Sequence, residues 1–278
     1  MKITILSENR KKGACEAEFG LSLFIEFSGA QFLFDTGESD LFLKNAEILG
    51  VNADCVNTVV LSHGHYDHSN GLQYLTDGKR VVMHPNGFKK RFSIDGIEYT
   101  GFPIEKEHAM ERFDFELAKT PLEIFENIWF LGEIPRNTTF EGIGRNASVL
   151  DTVTRCADYT EDDSAVVIKT EKGLFIISGC GHSGICNIIE YAKKVTGTEE
   201  IYGALGGFHL DRGLIDESDL AGFEETVVKT CEYFKENKVK IALLGHCIED
   251  SVIAQFEREL MGITEVRRMF SGAEFEEL

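Results

Sequence analysis

Three histidines and an aspartate fall within six residues in the stretch Leu61-Ser62-His63-Gly64-His65-Tyr66-Asp67-His68. Imidazole and carboxylate are ligands suited to zinc, iron or manganese. On an extended loop His63 and His65 point the same way, and a following turn carries Asp67 and His68 round to a neighbouring point. Donors spaced like this could serve two adjacent metal ions. The alternative is a solvated polar loop that is histidine-rich by chance. Against it, this loop holds three of only eight histidines in 278 residues. A second group, Cys180 and His182, sits in Gly179-Cys180-Gly181-His182-Ser183-Gly184, where a buried cysteine and a capping histidine are the alternative. His209 and His246 stand on short turns that glycines introduce, Gly206-Gly207-Phe208-His209 and Gly245-His246-Cys247.

The elements that must position these residues are mostly strands. The β-branched run Val56–Leu61 reads as a buried strand, so the histidine-rich loop hangs from a strand's C-terminal end. Residues 2–7 alternate as another strand, and Leu21–Phe27 with Gln31–Phe34 form a hairpin around Ser28-Gly29-Ala30. That hairpin ends at Asp35, which could orient a metal ligand from behind or merely make an Asx-turn or cap for a helix over Ser39–Leu49. A short helix over Ser69–Leu75 and a strand over Arg80–His84 follow. Strands Ala165–Thr170 and Leu174–Ser178 deliver Cys180 and His182 to the start of a helix, Ile185–Val195. Glu200–Leu205 leads to His209 and Val239–Leu244 to His246. Between them an amphipathic helix over Leu220–Asn237 places Phe223, Val227, Val228, Cys231 and Phe234 on one face. A helix over Ser251–Met261 and a last short strand through Phe270-Ser271-Gly272 complete the order.

Residues 86–126 are the least regular part and read as an insertion or lid over the sheet edge, in one domain spanning 1–278. Their basic run Lys89-Lys90-Arg91 is either a solvated face or a contact for a substrate phosphate. With 43% apolar residues the chain can bury a large core. It contains no apolar run of membrane-spanning length, and its start is too short and polar for a signal peptide, so a cytoplasmic protein is expected. The seven cysteines lack a CxxC pair and read as reduced thiols. A formal charge of −19 argues against nucleic acid or an anionic membrane as partner. It still allows a small anionic substrate, because bound dications invert the local field.

His63-x-His65-x-Asp67-His68 resembles the metal-binding signature of the metallo-β-lactamase-fold superfamily. Gly132-Glu133-Ile134-Pro135-Arg136 with Phe140-Glu141, Gly206-Gly207-Phe208-His209-Leu210 and Gly245-His246-Cys247 are similar to motifs of one branch. That branch comprises the dihydropterin-ribofuranosyl-aminobenzene-phosphate synthase-like proteins. The resemblance implies an α+β fold, a four-layer αββα sandwich of two mixed sheets with helices outside and the site along one edge. It places His63 and His65 on a first metal and Asp67, His68 and His246 on a second, with Asp35 behind them. The chain departs from the family twice. Asp162-Asp163 stands where a third histidine is usual, and Cys180 where a bridging aspartate is usual. His182 is expected to substitute in part, and Asp163 is a further candidate.

The implied cofactor is one or two divalent ions, zinc foremost, with manganese or iron also suited. The implied activity is hydrolysis of a small phosphoester or other ester through a metal-bound hydroxide held by Asp67. His209 or Arg136 would steady the leaving group or a phosphate. The alternatives are synthase-like condensation, a di-iron redox protein and a non-catalytic ligand-binding member of the fold. Homo-oligomers are left open.

Overall fold

The computed structural model describes residues 1–93, 96–141, 148–150, 156–214, 220 and 222–276. The first half contains β1 Lys2–Ser7, β2 Ser22–Phe27, β3 Ala30–Phe34, α1 Leu41–Leu49, β4 Thr58–Val60, α2 Tyr66–Ser69, β5 Arg80–Met83, β6 Phe92–Ser93, α3 Lys106–Arg112 and β7 Asp114–Leu117. The second contains β8 Leu122–Phe125, β9 Ile128–Phe130, β10 Ser148–Val149, β11 Ala165–Thr170, β12 Gly173–Ser178, α4 Ile185–Thr196, β13 Ile201–Gly206, α5 Phe223–Glu236, β14 Ile241–Leu244, α6 Asp250–Glu259, β15 Glu265–Arg268 and β16 Glu274–Phe275.

Two seven-stranded sheets result, ordered β16-β1-β2-β3-β4-β5-β7 and β15-β14-β13-β12-β11-β9-β8. Each is mixed. β1, β2 and β3 pair antiparallel whereas β3, β4, β5 and β7 run parallel. The second sheet joins parallel β12 to β15 with antiparallel β11 and β9. One apolar cluster lies between the sheets, with Ile5, Phe32, Phe34 and Val60 from the first and Phe130, Val166, Phe175 and Leu205 from the second. A second cluster joins the outer face of β11–β14 to α4, α5 and α6 through Ile188, Phe234 and Phe256. A third joins the outer face of the first sheet to α1 and α3 through Leu33, Phe42, Val81 and Ala109. Helix, sheet, sheet, helix is thus the layering that alternating burial along the strands requires.

Most expected elements are present, with boundaries moved by a few residues. The expected helix over Ser69–Leu75 is a one-turn α2 followed by a 3-10 turn, Asn70–Tyr74. The last strand expected through Phe270–Gly272 is replaced by two that flank it, β15 and β16. The helix expected from Leu220 starts at Phe223, and residue 221 lies outside the described residues. The stretch 86–126 contributes a strand to each sheet. β7 is the outer strand of the first sheet and β8 the outer strand of the second, with α3 packed on β7. Both strands are edges and half-exposed, so they lack the apolar signature of a buried strand. Within that stretch, residues 94–95 lie outside the described residues. Arg91 is fully buried and is no part of a solvated basic face.

Phe175 lies between the sheets with no exposed surface. Phe175→Ala is expected to destabilise the fold by about 3–5 kcal/mol, measured by chemical denaturation.

Candidate metal centre

The site is built on strand ends. β3 runs into Asp35, β4 into His63 and His65, β12 into Cys180 and His182, β13 into His209, and β14 into His246. Asp35 is buried, and its backbone turns through a left-handed conformation (φ 57°). Its Oδ1 accepts from the Ser62 backbone N–H at 2.7 Å, and its Oδ2 from the Ser62 hydroxyl at 2.7 Å. His68 Nδ1 lies 2.7 Å from the same Oδ2 and must donate to it. The Ser62 hydroxyl, having given its proton to Asp35, can only accept from His63 Nδ1 at 2.9 Å. Both imidazoles therefore present an Nε2 lone pair, a tautomer assigned from these partners.

His246 completes the first group of donors. Asn9 Nδ2 donates to the His246 carbonyl at 2.9 Å, and Asn9 Oδ1 lies 3.1 Å from His246 Nδ1. Nδ1 is then the donor, and the lone pair is again on Nε2. His246 Nε2 and His68 Nε2 lie only 2.9 Å apart. Cys180 Sγ is 3.1 Å from His68 Nε2, and Asp67 Oδ2 is 3.4 Å and 3.1 Å from the two imidazoles. Two facing lone pairs, a carboxylate and a thiol, all buried, repel unless a cation sits among them. Burial opposes a charge on His68, yet Asp67 and Asp35 raise its pKa well above the ordinary value, so a proton takes that place when no metal does. Burial likewise opposes ionisation of Asp67, but His68 and His246 hold its carboxyl well below the usual range.

The second group is His63, His65 and His182. His63 Nε2 is 2.9 Å from His65 Nδ1, and the His182 ring centroid is 4.9 Å and 5.1 Å from those of His63 and His65. Neither ring nitrogen of His182 has a hydrogen-bond partner among the described residues. Burial pushes His63 and His182 well below the ordinary imidazole range, and loss of solvent brings His65 to about 4. The three are therefore neutral near pH 7, the form that ligates. Within each group the potential ligand atoms all lie within 4.8 Å of one another. The groups adjoin, with the His63 and His68 ring centroids 4.3 Å apart. This donor set fits a pair of dications.

Several residues that hold the donors were not read in that role from their sequence. Arg91 pairs with Asp158 at 2.6 Å and with Asp162, and Asp162 Oδ2 accepts the Gly64 N–H at 2.8 Å. Asp162 thus pins the loop between His63 and His65 rather than adding a donor. A side chain at Gly64 would meet the Gly87 carbonyl oxygen at 1.9 Å, so only glycine allows this approach. Glu8 Oε1 accepts the His246 N–H at 2.6 Å. Glu8 and Asn9 stand at the end of β1, and their place at a strand end was the one signal available. A Cβ on Gly179 would come within 2.4 Å of Ser62 Oγ and 3.0 Å of Asp35 Oδ2, which ties the second sheet's loop to the first sheet's carboxylate.

The remaining candidates are placed unevenly. His209 and Cys247 line a cavity of about 160 Å³ together with His65, Asp67, Cys180 and His182. His209 is 6% exposed, has no oxygen or nitrogen hydrogen-bond partner at either ring nitrogen among the described residues, and adopts φ 51°. Asp163 belongs to neither donor group. It accepts the Ser183 N–H at 2.8 Å beside His182, and burial raises its pKa to about 6. Arg136 donates to the carbonyls of Tyr159 and Thr160 and does not line that cavity. Its charge is still felt by Asp163 and His182. Glu141, from the same motif as Arg136, accepts the Cys186 and Asn187 N–H groups at the start of α4.

The family model of the metallo-β-lactamase superfamily matches residues 16–155. An uncharacterized protein of Methanocaldococcus jannaschii is 33% identical over 213 residues, 75% of this chain and 79% of that one. The same organism's 7,8-dihydropterin-6-methyl-4-(β-D-ribofuranosyl)-aminobenzene-5'-phosphate synthase is 30% identical over 253 residues, 83% of this chain and 81% of that one. A crystal structure of a metal-dependent hydrolase of the β-lactamase superfamily superposes with a TM-score of 0.83 at 29% identity, covering 99% of this chain and 98% of that one.

Asp35→Asn keeps the volume but disturbs the three hydrogen bonds that aim His63 and His68. It is expected to weaken zinc binding by about 10–100-fold, read by titrating metal-free protein. An unchanged affinity would show that Asp35 does not orient the donors.

Proposed function

The chain belongs to the metallo-β-lactamase superfamily, and from that premise we propose that it is a metal-dependent hydrolase of a small phosphoester or related ester. The observation that carries this reading is the 2.9 Å approach of two imidazole lone pairs beside Asp67 and Cys180. In this reading Asp67, His68, Cys180 and His246 hold one ion, and His63, His65 and His182 hold the other. His182 takes the part of the histidine for which the chain has Asp162-Asp163. Imidazole with one thiolate favours zinc, with manganese or iron as the other candidates. A bound dication would lower the pKa of its water towards neutrality and polarise the bond under attack.

The chain's own residues do the rest. Asp67, itself one of the first group's donors, lines the cavity and can accept a hydrogen bond that aligns the attacking water. His209, which lines the cavity, can donate to the oxygen of the leaving group or hold an anionic substrate oxygen. Three neutral imidazoles leave the charge of their ion uncompensated, which draws an anionic group to that side. A small anionic substrate and a cytoplasmic setting belong to this reading. Arg136 would act through the field it imposes on His182 and Asp163 rather than by contact in the cavity.

A second reading is condensation rather than hydrolysis, supported by the 30% identity to the synthase-named relative across 83% of this chain. Both readings need the same metal centre.

Elemental analysis of protein purified without chelator, paired with turnover of a bis-aryl phosphodiester, tests the proposal. About two zinc or manganese ions per chain with turnover is the expected result. Iron without hydrolysis would shift the reading to redox chemistry, and no metal would overturn it. His65→Ala should remove most of the metal and lower turnover by about 100-fold or more. Cys180→Ser should weaken metal retention, because a hydroxyl is a poorer ligand than a thiolate; intact stoichiometry would mean that Cys180 only packs.

A further inference from the structure

The cavity over the donors has lining that the metal centre does not use. Phe19, Tyr66, Thr100 and Leu214 complete its wall. Phe19 is 40% exposed and belongs to none of the three apolar clusters, so its ring has no core to fill. It lies instead against the His246 ring, at 5.3 Å between centroids and a tilt of 42°. Tyr66 is fixed by its backbone N–H, which donates to the Thr100 carbonyl at 3.2 Å. The Thr100 hydroxyl is buried and has no hydrogen-bond partner among the described residues. No lysine or arginine is among the described residues of this wall.

An anionic group can be received at the metal side of such a cavity, but the wall offers no cation for a second one. What the wall offers is two aromatic rings and a leucine. Aromatic faces favour another flat ring over an alkyl chain of equal area. Size sets the limit: a cavity of about 150 Å³ lined by apolar side chains holds one benzene ring, and this one measures about 160 Å³.

We propose that this wall is a specificity pocket for a single six-membered aromatic ring, so that the substrates are aryl esters with one ring beside the reacting centre. Phe19 and Tyr66 are its specificity-determining residues. The inference rests on the metal-centre reading, and binding rather than turnover keeps the two separately testable.

The test is calorimetric titration of zinc-loaded protein with methylphosphonate, phenylphosphonate and 1-naphthylphosphonate. Phenylphosphonate should bind about tenfold or more tightly than methylphosphonate, and the naphthyl compound more weakly than the phenyl. Phe19→Ala, at an exposed position that the fold tolerates, should reduce the phenyl preference to about twofold or less, whereas Phe19→Tyr should keep it. Equal affinity of methyl and phenyl compounds would overturn the aromatic pocket and leave the metal centre standing. Tighter binding of the naphthyl compound would overturn the one-ring limit. A preference that survives Phe19→Ala would overturn the role of Phe19. Failure of all three compounds to bind zinc-loaded protein would overturn the pocket, whereas failure of the protein to retain zinc at all would overturn the metal-centre reading on which it rests.

Discussion

One buried carboxylate, Asp35, is the constraint on which the site depends. An ionised carboxylate without water costs several kcal/mol unless its lone pairs are filled. Here three donors fill them, and two of those donors belong to Ser62 and one to His68. Satisfying Asp35 therefore fixes the start of the histidine-rich loop and its end at once. Ser62 passes the orientation on to His63. The opposing loop must also come close, because Gly179 packs where a side chain would strike Ser62 and Asp35. At this edge the loops of the two sheets come together around that carboxylate and that glycine.

Convergence of so many donors is a local conflict that the rest of the fold must outweigh. Asp35, Phe208, His209 and His246 all adopt positive φ, a conformation unfavourable for side chains of their size. The core between the sheets supplies the opposing stabilisation, since strands such as β11 and β12 bury nearly every residue. A buried ion pair props the other side of the loop. Arg91 is enclosed by Asp158 and Asp162, and Asp162 in turn holds Gly64. The charge of that arginine contributes to keeping His63 and His65 neutral, after burial itself.

The chain carries its chemistry at strand ends, and this made much of the site legible. Short β-branched and aliphatic runs marked β4, β12, β13 and β14, because period and composition are local properties. Each was followed by a glycine and a histidine or cysteine, which local reasoning could identify. Edge strands β7 and β8 were not legible, because half-exposed strands carry no continuous apolar run. Arg91 was misread for a related reason. Its neighbours Lys89 and Lys90 are surface residues paired with Glu161 and Glu105, and only the fold separates it from them.

By itself the sequence determined which donor types exist and that they stand on loops and turns following strands, since both follow from residues close in the chain. Tertiary structure decided how those donors divide into groups. Cys180 meets His68 across 112 residues and His246 meets His68 across 178. Cys180 therefore sits with Asp67, His68 and His246, and its near neighbour His182 with His63 and His65. Glu8 and Asn9, marked only by their place at a strand end, and Asp162 support the donors through contacts that only the fold creates. The physical reason is that strand spacing fixes where a side chain leaves the sheet. Which distant side chain it faces is fixed only by the packing of one sheet on the other.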